Sequence, residues 1–342
     1  MDLVGLFPEE ITTWLETRQI ASFRADQIFT WLHKHAAQNF QEMTNLPSSL
    51  MTELEETFQS PWPIELVASR KSADGTEKYL FALNDDATIE AVLIPEEDRQ
   101  TLCISTQVGC AMACSFCATG QSGYVRNLWA SEIVAQVLWV ENRLRAKGQN
   151  VSNIVYMGMG EPLANYDALL RSVRLLNHEK GLNLGARRLT ISTCGLAPQI
   201  KALAEEDIQV NLAISLHATT DAERSQVMPV NKRFPLQELL EACEYYTEKT
   251  GRRISYEYAL IRGFNDTVDQ AKRLKRLLKG RLCHVNLIPI NPVGPEKRPS
   301  AKVLTEFAQV LKAGGIPVSI RKERGTDIEA ACGQLRQTHL QE

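Results

Sequence analysis

The stretch LCISTQVGCAMACSFCATG, residues 102–120, joins a strand-like apolar run to three closely spaced cysteines. Cys110, Cys114 and Cys117 have the spacing C-x3-C-x2-C and follow the strand directly. Three thiolates on one short loop can ligate three irons of a cubane cluster, which leaves the fourth iron open to a small molecule. The alternatives are a zinc knuckle, for which Cys103 is the nearest fourth ligand, and buried thiols without a metal.

Strand-like and helix-like segments alternate along the chain around and after this loop. The strand-like runs are 102–106, 153–157, 187–192, 210–216, 254–261, 284–290 and 317–323, and the helical patterns fall within 130–147, 166–178, 197–205, 236–249, 267–279 and 301–313. Strands that alternate with helices are typical of a parallel sheet covered by helices. The sequence therefore predicts an α/β fold.

Two further regions precede this alternation. Residues 1–63 show helical spacing of apolar residues and carry nine acidic against three basic side chains up to residue 60, so we predict an N-terminal helical domain. The paired prolines Pro61 and Pro63 end it. Residues 64–95 contain EKYLFALND and ATIEAVLIP around the turn-like NDDA, which predicts a small β extension with a hairpin. The remainder, 96–342, forms the third domain.

The composition excludes several classes of protein. The chain has 342 residues and a net charge of −3, so it can bury a full core and has no bulk attraction for nucleic acid. No run approaches the length of a membrane span, and the acidic N-terminus does not match a signal peptide. We expect a cytoplasmic protein whose eight cysteines are not a disulfide framework, because that compartment keeps thiols reduced.

Small polar residues follow several of the predicted strands at their carboxyl ends. They are Gly160 and Glu161 in GMGEP, Ser192, the run Ser215, Leu216 and His217, and Asn291. In a barrel of parallel strands these ends converge on one mouth. Glycine allows close backbone approach, and a carboxylate can hold an ammonium group. Taken singly, each residue could instead belong to a turn or a helix cap.

The cysteine motif resembles the signature of the radical S-adenosylmethionine (SAM) enzymes, with Phe116 as the aromatic residue before the last cysteine. The resemblance implies a partial (β/α)6 barrel and a 4Fe–4S cluster on Cys110, Cys114 and Cys117. It also implies that the open iron chelates SAM and that the reduced cluster cleaves SAM to a 5′-deoxyadenosyl radical. In such enzymes the cluster supplies the chemistry and the protein positions it.

Within that superfamily the chain is similar to the RlmN RNA adenine-C2 methyltransferases. The similar blocks are IPEEDRQTLCISTQVGC, GMGEPLAN, RRLTISTCG, AISLHATTDAERSQVMPVNK, HVNLIPINP and RGTDIEAACGQL. The likeness implies methylation of C2 of adenosine in 23S rRNA at the peptidyl-transferase centre and in tRNA next to the anticodon. It also implies a SAM site lined by Gly160, Glu161, Ser192, Ser215, Leu216, His217 and Asn291.

Two cysteines and one glutamate outside the cluster motif gain roles from this resemblance. Adenine C2 is electron-poor and cannot attack the methyl of SAM directly, so a radical route is needed. In the family, the cysteine matching Cys332 takes a methyl from one SAM, and a second SAM generates a methylene radical that adds to the base. The thiol matching Cys103 helps release the adduct and leaves a transient Cys103–Cys332 disulfide, and Glu90 matches a proton acceptor. Alternatively, the cysteines are buried hydrophobes and Glu90 is a solvated strand residue.

The substrate must reach a site inside the barrel mouth, so we expect a flipped or loop adenosine. Basic groups that could contact phosphates are Arg187, Arg188, Lys232, Arg233, Arg252, Arg253, the run 271–281, Arg321, Lys322 and Arg324. The run 271–281 could equally be a solvated outer helix face. The acidic N-terminal domain resembles the family's RNA-recognition domain, and the resemblance implies an electron donor such as flavodoxin or ferredoxin. We expect a monomer that does not bind membranes.

Two other functions fit part of the sequence. The related Cfr family shares the cluster and both extra thiols and methylates C8 of adenosine, and the regiochemistry depends on how the base lies over Cys332. A protein that binds RNA without catalysis and uses its cysteines for a structural Fe–S or zinc site is the alternative from another class.

Overall fold

The structure is a computed structural model that describes residues 2–291, 297–331 and 333–335. Its strands are β1 (Ile64–Lys71), β2 (Glu77–Leu83), β3 (Thr88–Glu96), β4 (Arg99–Cys103), β5 (Gln107–Gly109), β6 (Tyr124–Asn127), β7 (Asn153–Tyr156), β8 (Leu189–Thr193), β9 (Asn211–Ser215), β10 (Ile254–Leu260), β11 (Cys283–Pro289) and β12 (Val318–Ile320). Its α-helices are α1 (Pro8–Glu16), α2 (Arg24–Phe29), α3 (Ser48–Phe58), α4 (Ala118–Gln121), α5 (Ala130–Arg145), α6 (Tyr166–Asn177), α7 (Ala197–Glu205), α8 (Asp221–Val227), α9 (Leu236–Thr250), α10 (Val268–Leu278) and α11 (Ala301–Lys312).

Ten of the strands form one mixed sheet in the order β1-β2-β3-β4-β7-β8-β9-β10-β11-β12. The seven strands from β4 to β12 along this order pair in parallel, and each of the first six is followed by helical structure before the next. Within the described residues β1 and β12 are the two edges, so the sheet is not closed. The predicted α/β fold with a partial (β/α)6 barrel is confirmed, and β12 adds a short seventh strand.

In strands β7, β8 and β11 fully buried positions alternate with half-buried ones, so one face of the parallel sheet is completely buried. Leu102, Ile154, Ile191 and Ile214 have no exposed surface. Helices α5, α6, α7, α9, α10 and α11 match the predicted helical segments to within a few residues. Their amphipathic faces bury residues such as Leu203 against the sheet.

The β extension continues the barrel sheet. Strands β2 and β3 form the predicted antiparallel hairpin, with Ala82 opposite Thr88 beside the turn. Strand β3 then pairs with β4, where Val92 lies opposite Cys103. Residues on either side of the predicted boundary at 95/96 therefore share one sheet.

The N-terminal segment packs along α5 and α6, with hydrogen bonds from Ser131 and Asn142 near the two ends of α5. Ile11, Leu15, Ile28 and Leu32, all from the predicted helical repeats, are fully buried. Arg171 of α6 donates a 2.8 Å hydrogen bond to the carbonyl oxygen of Gly5. The N-terminal helices are thus packed on the outside of the barrel. In the described parts of the chain, no helix combines the length and apolarity needed to cross a membrane.

Candidate active site

A cavity of about 180 Å³ lies at the carboxyl ends of the parallel strands. The predicted residues that line it are Cys110, Cys114, Cys117, Gly160, Glu161, Ser192, Ser215, His217 and Asn291. These residues come from the loop after β5 and from the ends of four barrel strands and the loops that follow them. Parallel topology brings them together although they span 182 positions of the sequence, from 110 to 291.

The three motif cysteines are held by the short hairpin β5–β6, which sequence reasoning did not identify. The backbone N–H of Cys110 donates a 2.7 Å hydrogen bond to the carbonyl oxygen of Gly123, next to β6. Burial raises the pKa of the Cys110 thiol to about 12 and that of Cys114 further. Without a cation these groups stay neutral, and metal binding is what makes them thiolates.

The donor set of this loop fits a cubane cluster better than a zinc knuckle. Among the described residues, no three His, Cys, Asp or Glu side chains surround one common ion position. A cubane cluster does not require such a point, because each thiolate binds a different iron. Cys103, the fourth ligand that a zinc knuckle would need, does not line this cavity. Among the seven cysteines that the structure describes, no two form a disulfide.

The loop after β7 lies against the cysteine-bearing segment. Gly160 has a φ of +104°, and a Cβ atom there would lie 2.6 Å from Cβ of Gln107. The next residue, Glu161, is buried, and its two carboxylate oxygens accept backbone N–H groups of Leu163 at 3.0 Å and Cys194 at 2.7 Å. Burial raises the pKa of Glu161. This carboxylate therefore ties the end of β7 to the end of β8, and it lines the cavity with its remaining lone pairs.

The imidazole of His217 is fixed as a neutral hydrogen-bond donor. Its Nδ1 accepts the backbone N–H of Ala259 at 2.9 Å, so the ring proton lies on Nε2. Burial and the nearby Arg224 lower the pKa of His217 to about 3. The ring of Phe116 lies edge-on to the imidazole, with the centroids 4.9 Å apart. His217 also has a φ of +56°, which is unusual for a residue with a side chain.

Arg224 is a further residue of this site that sequence reasoning missed. The side chain is fully buried below the cavity and donates to Leu216 O at 3.1 Å, Ser215 O at 3.1 Å, Asn231 Oδ1 at 3.0 Å and Cys194 O. One guanidinium group thus joins the ends of β8 and β9. In the sequence, an arginine on a short helix looks the same whether its side chain is buried or solvated.

The side chains of Leu216 and Asn291 lie in different environments. The side chain of Leu216 is fully buried in the core and does not line the cavity, and its N–H donates to Glu257 O at 3.0 Å. Asn291 is also buried but lines the cavity, and its Oδ1 accepts from Arg298 at 3.2 Å.

A second cavity, of about 300 Å³, adjoins the first. Cys103 lines it, and Cys117, Asn291 and Arg321 line both cavities. Cys332 lies outside the described residues. Its described neighbours Ala331 and Gly333 line the second cavity together with Cys103.

Glu90 does not line the second cavity. The side chain has no exposed surface and forms a 3.1 Å ion pair with Nζ of Lys78, which is also buried. The alternative interpretation of Glu90 as a solvated strand residue is therefore wrong. Burial of a carboxylate is costly without a partner, and the Lys78 ammonium group compensates for it.

The C-terminal segment is attached to the turn between β1 and β2. Asp327 accepts hydrogen bonds from Ser72 Oγ at 2.6 Å and from the backbone N–H of Ala73 at 3.2 Å. Gly325 N–H donates to Asp74 at 2.9 Å. On the far side of residue 332, Ala118 N–H donates to the carbonyl oxygen of Gly333 at 2.7 Å. The β extension and α4 thus hold the described residues on both sides of Cys332.

The basic groups divide into two kinds. Arg321, Lys322 and Arg324 line the second cavity. In the run 271–281, Arg273 pairs with Glu223 at 2.7 Å and Arg281 pairs with Glu244 at 2.5 Å. Two basic groups of that run are therefore already paired with acidic side chains of the same chain.

Comparisons with known proteins show the family to which this chain belongs. The sequence model of the Radical SAM superfamily matches residues 104–275, and that of the Ribosomal RNA large subunit methyltransferase N-terminal domain matches residues 1–59. A radical SAM methyltransferase from Sphaerobacter thermophilus is 48% identical and superimposes with a TM-score of 0.96, with 98% of this chain and 99% of that chain covered.

Two curated relatives share one name. A protein of Alkaliphilus oremlandii, named probable dual-specificity RNA methyltransferase RlmN, is 49% identical, with 100% of this chain and 99% of that protein covered. A protein of Clostridium botulinum with the same name is 45% identical, with 97% of this chain and 95% of that protein covered.

The chain belongs to the RlmN family of radical SAM RNA methyltransferases. The family assignment makes the protein a SAM-dependent enzyme with a 4Fe–4S cluster, and it excludes the alternative of a protein that binds RNA without catalysis. The described residues of the first cavity fit both the 4Fe–4S cluster and SAM. Three cysteines, of which Cys114 is buried and Cys110 and Cys117 are half-buried, can ligate the cluster. Glu161, Ser215 and neutral His217 can offer hydrogen-bonding partners to SAM.

Proposed function

We propose that this RlmN-family enzyme methylates C2 of adenosine in 23S rRNA at the peptidyl-transferase centre and in tRNA next to the anticodon, in the cytoplasm. The observation that carries the proposal is the pair of adjoining cavities. One brings together the three motif cysteines, and the other is lined by Cys103 and by both residues that flank Cys332. The named relatives, described as dual-specificity RNA methyltransferases, support two RNA substrates.

The first cavity would hold the cluster and SAM. Cys110, Cys114 and Cys117 would ligate three irons, and Gly160, Glu161, Ser192, Ser215, His217 and Asn291 would surround SAM, while Leu216 is buried in the core between Ser215 and His217. When bound, the cluster and SAM supply the methyl group and a one-electron route to a carbon atom that nucleophilic displacement cannot methylate. Neutral His217 donates a hydrogen bond from Nε2, and the buried surroundings exclude water from the reacting atoms.

The second cavity would hold the target base. Cys332 would carry the methyl group to C2, and the thiol of Cys103, 7% exposed, would help release the base through a transient disulfide. Glu90 would accept the proton that leaves C2. Its ion pair with Lys78 keeps the carboxylate compensated inside the sheet.

RNA would approach the mouth of the second cavity. Arg321, Lys322 and Arg324 line this cavity and can contact phosphates beside a flipped adenosine. The N-terminal helical domain would add RNA contacts, and a flavodoxin or ferredoxin would deliver the electron. We propose that the enzyme acts as a monomer.

The experiment that tests the proposal is mass spectrometry of nucleosides. The anaerobically reconstituted enzyme is incubated with reductant, SAM and either a 23S rRNA fragment or tRNA, and the digested RNA is analysed. 2-Methyladenosine in both RNAs is the expected product. 8-Methyladenosine would assign the enzyme to the Cfr reaction instead. The absence of methylated adenosine, with cluster content and SAM cleavage both verified, contradicts the proposal.

A further inference from the structure

One row of polar side chains crosses the inside of the barrel. Strands β9 to β12 are in register so that Ser215 lies beside Glu257, Glu257 beside Asn286, and Asn286 beside Ser319. Neighbouring positions in these parallel strands point to the same face. Ser215 and Glu257 both line the cavity of about 180 Å³. The Ser215–Glu257 end of the row therefore forms part of the cavity wall.

The two oxygens of Glu257 have different environments. Oε1 accepts a 2.8 Å hydrogen bond from Nδ2 of Asn286. Oε2 is buried and has no hydrogen-bond partner among the residues that the structure describes. Glu257 as a whole is 4% exposed, and its burial raises its pKa.

A buried carboxylate oxygen without a donor costs free energy, so a position of this kind indicates a missing partner. A carboxylate is an acceptor, so that partner is a hydrogen-bond donor. Because Glu257 lines the cavity, a ligand in the cavity can supply the donor.

We propose that Glu257 binds the ribose hydroxyl groups of SAM. SAM carries three kinds of donor, namely the α-ammonium group, the ribose hydroxyls and the adenine amino group. Glu161 and the motif cysteines lie at the β7 end of the cavity, whereas β10 lies three strands away in the sheet, so one elongated ligand would present different groups to the two ends. A ribose diol offers adjacent O–H donors, and carboxylates recognise ribose hydroxyls in other nucleotide sites. The inference rests on the proposed placement of SAM in this cavity.

The variant Glu257→Gln tests this contact with little change in shape. Ser319 Oγ donates to Oδ1 of Asn286 at 2.5 Å, which orients the Asn286 amide so that its Nδ2 faces residue 257. The glutamine oxygen would pair with that Nδ2, and the glutamine NH2 group would then face the cavity. The substitution thus replaces an acceptor with a donor at the point where the ribose hydroxyls would bind.

The ligand side of the test uses S-adenosylhomocysteine, which cannot donate a methyl group, together with its 2′-deoxy and 3′-deoxy analogues. Dissociation constants are measured by anaerobic equilibrium dialysis with cluster-loaded enzyme. For S-adenosylhomocysteine, we expect Glu257→Gln to raise the dissociation constant about 10- to 100-fold. We also expect at least one deoxy analogue to bind the wild type about that much more weakly, with no further loss in Glu257→Gln. Equal losses for the analogues in both proteins overturn the inference.

Two further variants separate the possible failures. Glu141→Gln alters another buried carboxylate, which accepts the N–H of Val151 at 2.7 Å outside the cavity, and it should leave the dissociation constant unchanged. His217→Ala tests the placement of SAM. If His217→Ala weakens binding and Glu257→Gln does not, only the inference fails. If neither variant changes binding, both the inference and the proposed placement of SAM are wrong. Weakened RNA binding with unchanged nucleoside binding in Glu257→Gln would assign the carboxylate to the RNA and overturn the inference.

Discussion

The guanidinium group of Arg224 donates a 3.1 Å hydrogen bond to the carbonyl oxygen of Ser215 from a fully buried position. The same group contacts the carbonyl oxygens of Cys194 and Leu216. Within the described residues, no carboxylate oxygen lies within 4.0 Å of this guanidinium. A positive charge shared among backbone carbonyl groups therefore fixes the ends of β8 and β9, where the proposed SAM site begins.

Replacing Arg224 with methionine should destabilise the protein and loosen the site. The change leaves buried acceptors without a donor, so we expect the free energy of unfolding to fall by about 2–4 kcal/mol in urea denaturation. The iron content after reconstitution should also fall. Arg174→Met is the control, because Arg174 is 54% exposed and pairs with Glu206 at the surface, and it should cost less than about 1 kcal/mol. Equal costs for the two variants would contradict the assigned role of Arg224.

Gly160→Ala should be more damaging than alanine at another glycine with positive φ. At Gly160 the new Cβ would meet Gln107 side-chain and backbone atoms within 2.8 Å, so strain and crowding together should cost about 2–5 kcal/mol. Gly148 has a φ of +71° and no atom within 4 Å of its Cβ position, so Gly148→Ala should cost only about 1–2 kcal/mol. Urea denaturation of both variants checks the difference. If both lose the same stability, close packing at Gly160 is not the cause.

Acid should destabilise the protein through His33, which is buried in the N-terminal helices. Burial lowers the pKa of His33 to about 3 from an unfolded value of 6.5. Below pH 6.5 the unfolded chain binds a proton that the folded chain does not bind, so stability falls as the pH falls from 6.5 towards 3. Between pH 7.5 and 5.5, His33→Leu should therefore lose about 1.4 kcal/mol less stability than the wild type. Urea denaturation at the two pH values measures this, and an unchanged pH dependence would show that folding does not lower the pKa of His33.

Much of this architecture could be predicted from local patterns. Alternating apolar strands and amphipathic helices predicted the parallel sheet, and parallel topology alone then placed Ser192, Ser215, His217 and Asn291 around one cavity. The hairpin β5–β6 was missed because its strands have only three and four residues and overlap the cysteine motif.

Other features depend on contacts between distant segments. Glu257 lies in ISYEYALI, where alternation indicates a buried strand, and only the register with Ser215 and Asn286 shows a polar row. The burial of Glu90 depends on Lys78 from the neighbouring strand. The attachment of Asp327 to Ser72 joins positions 255 residues apart. Nothing in the local sequence specifies such pairs.

Variants that lack one of the two thiols outside the cluster should stop the reaction at different stages. Cys332→Ala removes the proposed methyl carrier but none of the proposed cluster ligands. The variant should therefore retain its iron and form no covalent complex with RNA. Cys103→Ala retains the carrier but lacks the thiol that releases the base, so a protein–RNA adduct should accumulate. Denaturing gel electrophoresis with labelled RNA separates these outcomes, and iron analysis checks the cluster. Cys283→Ala changes another buried free cysteine that lines neither cavity and should release methylated RNA normally. An adduct in Cys332→Ala, or full turnover in Cys103→Ala, would show that the proposed division of labour between the thiols is wrong.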